Sequence, residues 1–214
     1  MSTSLREIRQ DLRIMSLKPE TLDWSGVDTC VLDMDGTLLD LHFDHQVWNE
    51  RLPQRYGEQF GLDITAARAH VSQTLEAARG SLTWYCMDHW SRVFGLELNS
   101  IERELAELIQ IRPGAESFLS RLRQRKVRVV LATNAHPSSL VHKLEITGID
   151  AYFDDIVSSH QFGYAKEEQD FWHALTSHVE LQPQRTVFID DNLAVLEAAR
   201  RFGIRYLFAI NQPS

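Results

Sequence analysis

Two cysteines are all the chain offers, Cys30 inside an apolar run and Cys86 in an aromatic stretch. That is too few for the disulfide framework that staples secreted domains, so both are expected as reduced thiols of a cytoplasmic protein. No apolar run approaches the ~20 residues that a bilayer-spanning helix needs, and a membrane role is not expected. An excess of basic charge is missing as well. The 22 Lys and Arg stand against 30 Asp and Glu, giving a formal net charge of -8 and a pI of about 5.6, which disfavours a protein that tracks a nucleic-acid polymer. Met1 to Lys18 mixes Arg6, Glu7, Arg9, Asp11 and Arg13 with isolated leucines, which is not the layout of a signal peptide. Residues 1–26 read as an N-terminal extension, a tail or peripheral helix, with Met15 as an alternative start.

The chain has 214 residues, 43% hydrophobic and 24% charged, enough for one globular unit or a core with an inserted subdomain. A short strand-like run, Val27 to Leu32, is followed by an interval from Leu39 to Arg112 with helical spacing only: Ile64, Ala67, Val71, Leu75 and Ala78, then Ile101, Leu105 and Leu108. Loops beyond ~12–15 residues are uncommon in compact domains, so this interval is expected to be a helical insertion, residues 40–111. After Pro113-Gly114 helix and strand alternate. Ala115, Phe118, Leu119 and Leu122 lead to Val127–Thr133, and Leu140 and Leu144 lead through Gly148 to Ile156-Val157-Ser158. Phe171, Trp172, Leu175 and Val179 lead to Thr186–Ile189, and Val195, Leu196, Ala199 and Phe202 lead to Tyr206-Leu207-Phe208. The pattern predicts an α/β fold: a Rossmann-like parallel sheet with helices on both faces, formed by residues 27–39 and 112–214.

The first strand ends in Asp33-Met34-Asp35-Gly36-Thr37, two carboxylates one residue apart. Two unit charges about 4 Å apart at an effective dielectric near 20 repel by roughly 4 kcal/mol, so such a pair shares a proton or binds a cation. Taken alone, the stretch could equally be a solvated turn. The other strand ends decide between the two. Ligands of open parallel sheets bind beyond the carboxyl ends of the strands, and there the sequence places Thr133 and Asn134, Lys166, and Asp190 and Asp191. The four aspartates form an acidic cluster that calls for a cation, and oxygen-only donors with open positions favour Mg²⁺. Thr133, the backbone around Asn134 and Lys166 add the hydrogen bonds and charge that a phosphoryl group needs.

These stretches, Asp33-Met34-Asp35-Gly36-Thr37, Thr133-Asn134, Lys166 and Ile189-Asp190-Asp191, resemble in order the four motifs of the haloacid-dehalogenase-like hydrolase superfamily, over about Val27 to Phe208. The resemblance implies that Asp33 is a nucleophile forming an aspartyl-phosphate and Asp35 an acid and base. It implies that Thr133, Asn134 and Lys166 bind the phosphoryl group. It also implies that Asp33, the backbone carbonyl of Asp35 and Asp191 hold Mg²⁺, with Asp190 as a water-bridged ligand or an orienter. An acid at position 35 favours phosphate-monoester hydrolysis over dehalogenation. Relatives often carry Gly-Asp with another Asp four residues on, whereas this chain has Asp190-Asp191 and then Val195.

Longer stretches resemble the bacterial GMP/IMP 5′-nucleotidases: Leu32 to Leu41, Trp84-Tyr85-Cys86, Thr133 to Pro137, and Phe162 to Gln169. That resemblance implies a purine mononucleotide substrate and a helical cap over the site. The rivals are a sugar-phosphate phosphatase or phosphomutase of the same superfamily, and a catalytically silent phosphate-ligand binding protein. Ala165 departs from the family, where proline usually precedes the lysine, and is expected to loosen Lys166 slightly. Trp48, Trp84, Tyr85, Trp90 and Phe94 serve either as the core of the insertion, which is favoured, or as stacking walls. His42, His45 and His89 read as surface or interface residues and Cys86 as packing. A monomer or homodimer is expected.

Overall fold

The computed structural model describes residues 22–213; the predicted tail or peripheral helix lies outside them. Of the predicted extension, Leu22 is buried and Trp24 packs edge-on against Phe118 at 6.3 Å.

Five parallel strands form one sheet among the described residues: β1 (Thr29–Leu32), β2 (Arg128–Thr133), β3 (Asp155–Ser158), β4 (Thr186–Asp190) and β5 (Tyr206–Ala209), in the order β3-β2-β1-β4-β5. The α/β reading of the sequence holds. β1 is buried along its whole length because it sits at the centre, and its residues alternate between the two faces. Cys30 and Leu32 join Val129, Leu131 and Val187 on one side, while Val31 joins Val130, Ala132 and Phe188 on the other.

Helices cover both faces. On one side α8 (Gln169–Val179) and α9 (Leu193–Phe202) supply Phe171, Trp172, Leu175, Val195 and Leu196, the i, i+1, i+4 spacing of a core-facing stripe. On the other, α6 (Ala115–Gln124) and α7 (Pro137–Thr147) supply Leu119, Leu122 and Leu140. Chain order runs from β1 to β2 and β3 on one flank, then to β4 and β5 on the other. The sheet therefore reverses its winding between β1 and β4, which opens a crevice at their carboxyl ends. The register Leu32↔Ile189 puts Asp33 and Asp190 side by side at that crevice.

Between β1 and α6 the described chain is helical: α1 (His42–His45), a π-helical segment Gln46–Arg51, α2 (Leu52–Phe60), α3 (Ile64–Glu76), α4 (Met87–Phe94) and α5 (Leu98–Glu104). Asp63 starts α3 by accepting from the amides of Thr65 and Ala66. The single helix expected through Ile101, Leu105 and Leu108 is broken at Leu105 (φ -114°, ψ 15°) and closes in a 3₁₀ turn, Ala106–Leu108. The break turns the chain back, so that Asp40 N–H donates to Gln110 and Arg112 N–H to Leu38, with Leu39 and Ile111 paired antiparallel. Both connections of the helical segment thus run side by side. Its apolar residues, among them Val71, Trp90, Phe94 and Ile101, are continuous with the cluster on the β1–β2 face.

Candidate active site

Parallel strands bring all seven predicted site residues to one edge. Asp33, Asp35, Thr133, Asn134, Lys166, Asp190 and Asp191 line a single cavity of about 980 Å³ between the sheet edge and the helical segment. Lys166 is its electrostatic centre. Its Nζ is buried and donates to Asp33 Oδ1 at 2.5 Å, Asp190 Oδ2 at 2.8 Å and the Ala132 carbonyl at 3.0 Å. Ala165 was expected to loosen this lysine. Instead, the Ala165 N–H, which a proline would lack, donates to Glu168 Oε1 at 2.8 Å. The Lys166 backbone is held on both sides, its N–H by Asn134 Oδ1 at 2.9 Å and its carbonyl by Trp172 Nε1 at 2.8 Å.

One ammonium faces three carboxyls. Asp33, Asp190 and Asp191 offer oxygens that all lie within 4.8 Å of one another. Burial pushes Asp33 up to about 7, against the pull of Lys166 and with a further push from Asp190 and Asp35. Burial and then Asp33 push Asp191 up to about 6, and burial raises Asp190 in the same direction. A cluster with more acid than base, built of hard oxygen donors at a cavity, fits a divalent cation of the Mg²⁺ type. The two adjacent aspartates differ in what surrounds them. Asp190 is buried, with Oδ2 taken by Lys166 and Oδ1 accepting from the Asn192 amide at 2.7 Å. The Asp191 carboxylate lies against Gly36, which sits at φ +80°, and a β-carbon there would fall 2.5 Å from Asp191 Oδ2. Arg112 braces the same turn by donating to the Gly36 carbonyl at 2.6 Å and to that of Gln212. The Thr133 hydroxyl oxygen accepts from the Ala135 amide at 3.0 Å, which leaves its proton to point elsewhere.

Several groups were not anticipated from sequence. Lys143 is buried on α7 and donates to Asp35 Oδ1 at 2.7 Å and Asp44 Oδ1 at 2.8 Å. Glu102 closes this second cluster, accepting from the Ser139 hydroxyl at 2.7 Å. Again one ammonium meets three carboxyls, and burial followed by the charge of Asp35 pushes Asp44 up to about 7. The stripe expected through Leu140 and Leu144 is rotated: Ser139, Leu140 and Lys143 are the buried positions. A lysine three residues after a buried leucine on a core-facing helix is the one signal the sequence carried. Glu167 ties the two sides of the cavity, accepting from Asn134 Nδ2 at 2.9 Å and from the Tyr85 hydroxyl at 2.9 Å.

The aromatic residues divide. Trp90 and Phe94 are buried core, as favoured from sequence. Trp48, Trp84 and Tyr85 line the cavity, as do His42 and His45, with Arg79 over the Trp84 ring at 4.9 Å. Among the described residues no helix is long and apolar enough to cross a membrane.

Comparison with known proteins agrees with this geometry. A family profile described as haloacid dehalogenase-like hydrolase matches residues 27–203. The GMP/IMP nucleotidase YrfG of Escherichia coli (strain K12) is 42% identical over 190 residues, covering 89% of this chain and 86% of that one. A phosphorylated carbohydrates phosphatase of Thermotoga maritima is 21% identical over 202 residues, 86% of this chain and 85% of that one. A crystal structure of a HAD phosphatase from Thermococcus onnurineus superposes with a TM-score of 0.76 at 18% identity, covering 85% of this chain and 86% of that one, a likeness of fold.

Proposed function

The chain belongs to the haloacid dehalogenase-like hydrolases, and from that premise we propose that it is a Mg²⁺-dependent phosphatase working through an aspartyl-phosphate on purine 5′-mononucleotides such as GMP and IMP. The observation that carries the reading is Lys166 Nζ at 2.5 Å from Asp33 and 2.8 Å from Asp190, in a crevice that also holds Asp35 and Thr133.

In this reading the Asp33 carboxylate attacks phosphorus in line, and the bond from phosphorus to the nucleoside oxygen breaks. Asp35 donates its proton to that leaving oxygen. Asp35 then takes a proton from water as the water attacks the phosphoryl group, the bond to Asp33 breaks, and inorganic phosphate leaves. Lys166 and the Thr133 hydroxyl hold the phosphoryl oxygens throughout. When bound by the Asp33 and Asp191 carboxylates and the Asp35 backbone carbonyl, Mg²⁺ supplies positive charge that offsets both the carboxylates and the phosphate. Asp190 acts as an orienter, since both of its oxygens are already engaged. Lys143 fixes the Asp35 carboxyl for its two proton transfers.

Residues 40–111 act as a cap, moving on the paired connections at Leu39 and Ile111. A cavity of about 980 Å³ has room for a nucleoside monophosphate. The indole rings of Trp48 and Trp84 and the phenol of Tyr85 supply flat walls for a purine, with the relative that hydrolyses GMP and IMP as the parallel.

A phosphate-release screen over purine and pyrimidine mononucleotides and sugar phosphates, with and without Mg²⁺, tests this reading. Release from GMP and IMP that depends on Mg²⁺ and exceeds release from sugar phosphates is expected. Preference for a sugar phosphate would overturn the substrate assignment, and nucleotide binding without release would overturn the enzyme reading.

A further inference from the structure

A third cluster lies at the seam between the helical segment and the sheet, built from different chemistry. Cys86, at the start of α4, His136, which precedes α7, and His160, in the 3₁₀ turn Ser159–Gln161 after β3, bring a sulfur and two ring nitrogens within 4.8 Å of one another. The two imidazoles meet edge to face with centroids 5.0 Å apart. His136 Nδ1 is engaged by the Ser138 hydroxyl at 2.8 Å, which leaves Nε2 as its outward donor atom, and Asp88 Oδ2 lies 3.7 Å from that nitrogen. His160 Nε2 is buried and makes no hydrogen bond of normal geometry, although the Asn134 and Tyr85 backbones lie close enough to act on the ring. A buried ring nitrogen left unpaired costs free energy and calls for an occupant.

We infer that Cys86, His136 and His160 form a binding site for a borderline-soft divalent cation such as Zn²⁺, separate from the aspartate cluster, with the Asp88 carboxylate as the nearest further oxygen. One thiolate with two imidazoles is a donor set that suits Zn²⁺ and Co²⁺ and not Mg²⁺, whose preference is for oxygen. Binding releases the Cys86 thiol proton to solvent as the sulfur–metal bond forms. The three ligands come from three separate stretches of chain, one on the helical segment and two after strands β2 and β3. An ion held there therefore fastens the helical segment to the sheet beside Tyr85 and Asn134, whose side chains meet at Glu167.

The test is a Co²⁺ titration of the full chain in saturating Mg²⁺, read by the thiolate-to-Co²⁺ charge-transfer absorption, together with melting temperature in Zn²⁺. Wild type is expected to take up one Co²⁺ per chain with that absorption, and Zn²⁺ is expected to raise its melting temperature. Cys86→Ser is expected to lose both signals. His136→Gln and His160→Gln are expected to weaken Co²⁺ binding by more than the roughly 10- to 100-fold typical of losing an outer partner. Absence of the absorption in wild type overturns the site, whatever the variants do. Its persistence in Cys86→Ser, or undiminished binding in both histidine variants, overturns it as well.

Discussion

Lys143 Nζ lies 2.7 Å from Asp35 Oδ1, so the carboxyl assigned to proton transfer is held by a buried ammonium that comes from the helix after β2. The same ammonium reaches Asp44 at 2.8 Å, at the start of the helical segment. One cation thus joins the turn that carries Asp35, the core and the segment proposed as a cap.

Replacing Lys143 by Met strands Asp35, Asp44 and Glu102 without a counter-charge. Breaking a buried pair costs about 3–5 kcal/mol, and urea unfolding is expected to show a loss of that order. Misplacing Asp35 is expected to lower kcat by on the order of tenfold to a hundredfold with KM little changed. Adding Asp44→Asn to Lys143→Met should restore part of the stability. Wild-type stability and kcat in Lys143→Met would contradict the bracing role.

Asp35→Asn keeps the shape of the side chain and removes its proton chemistry. Overall turnover is expected to fall by roughly 10²–10⁴-fold. With a substrate whose leaving group needs no proton, such as a nitrophenyl phosphate, phosphoenzyme is expected to accumulate and to be seen by intact-protein mass spectrometry. Turnover close to wild type, or no trapped adduct with such a substrate, would count against the acid and base role.

Gly36→Ala should act on the cation site from a distance of one turn. The alanine is strained at φ +80°, by roughly 1–2 kcal/mol, and its β-carbon would sit 2.5 Å from Asp191 Oδ2. Asp191 must then move, and the Mg²⁺ concentration giving half-maximal activity is expected to rise about tenfold. An unchanged Mg²⁺ dependence would remove Asp191 from the cation site.

The raised carboxyls give the metal-free protein a pH dependence with a definite sign. Asp33 and Asp44 lie near 7 and Asp191 near 6, each above the roughly 3.9 of an unfolded aspartate. The folded state therefore binds more protons; this contribution to stability is full below about 4 and is lost as pH rises through 6 to 7. In EDTA the melting temperature is expected to fall between pH 5.5 and 8. Mg²⁺ should raise it more at pH 8 than at 5.5, because protons and cation compete for the Asp33 and Asp191 carboxylates. A melting temperature that rises with pH in EDTA would contradict this.

The sheet was legible because its central strands are buried on both faces and read as unbroken apolar runs ending in polar residues, as Cys30 to Asp33 and Val187 to Asp190 do. Parallel topology then forces those ends together, so the seven residues that line the crevice could be named together without coordinates, Lys166 from the loop beyond β3 included. Lys143 escaped because helical periodicity marks apolar faces and says nothing of a buried cation, whose partners Asp35, Asp44 and Glu102 lie far away in sequence. Cys86 read as packing because its neighbours His136 and His160 approach it only when the helical segment folds back on the sheet. The break at Leu105 was hidden for a similar reason: the return of the chain to pair Ile111 with Leu39 overrides a leucine spacing that would otherwise continue the helix.

Phosphate release by Asp33→Asn tests the account most directly. With Mg²⁺ present, release from GMP, IMP and every other monoester is predicted to fall by about a thousandfold or more. The fold should be retained, since the change removes a buried carboxyl and keeps its volume. Turnover at the wild-type rate in a folded Asp33→Asn protein would contradict the aspartyl-phosphate mechanism.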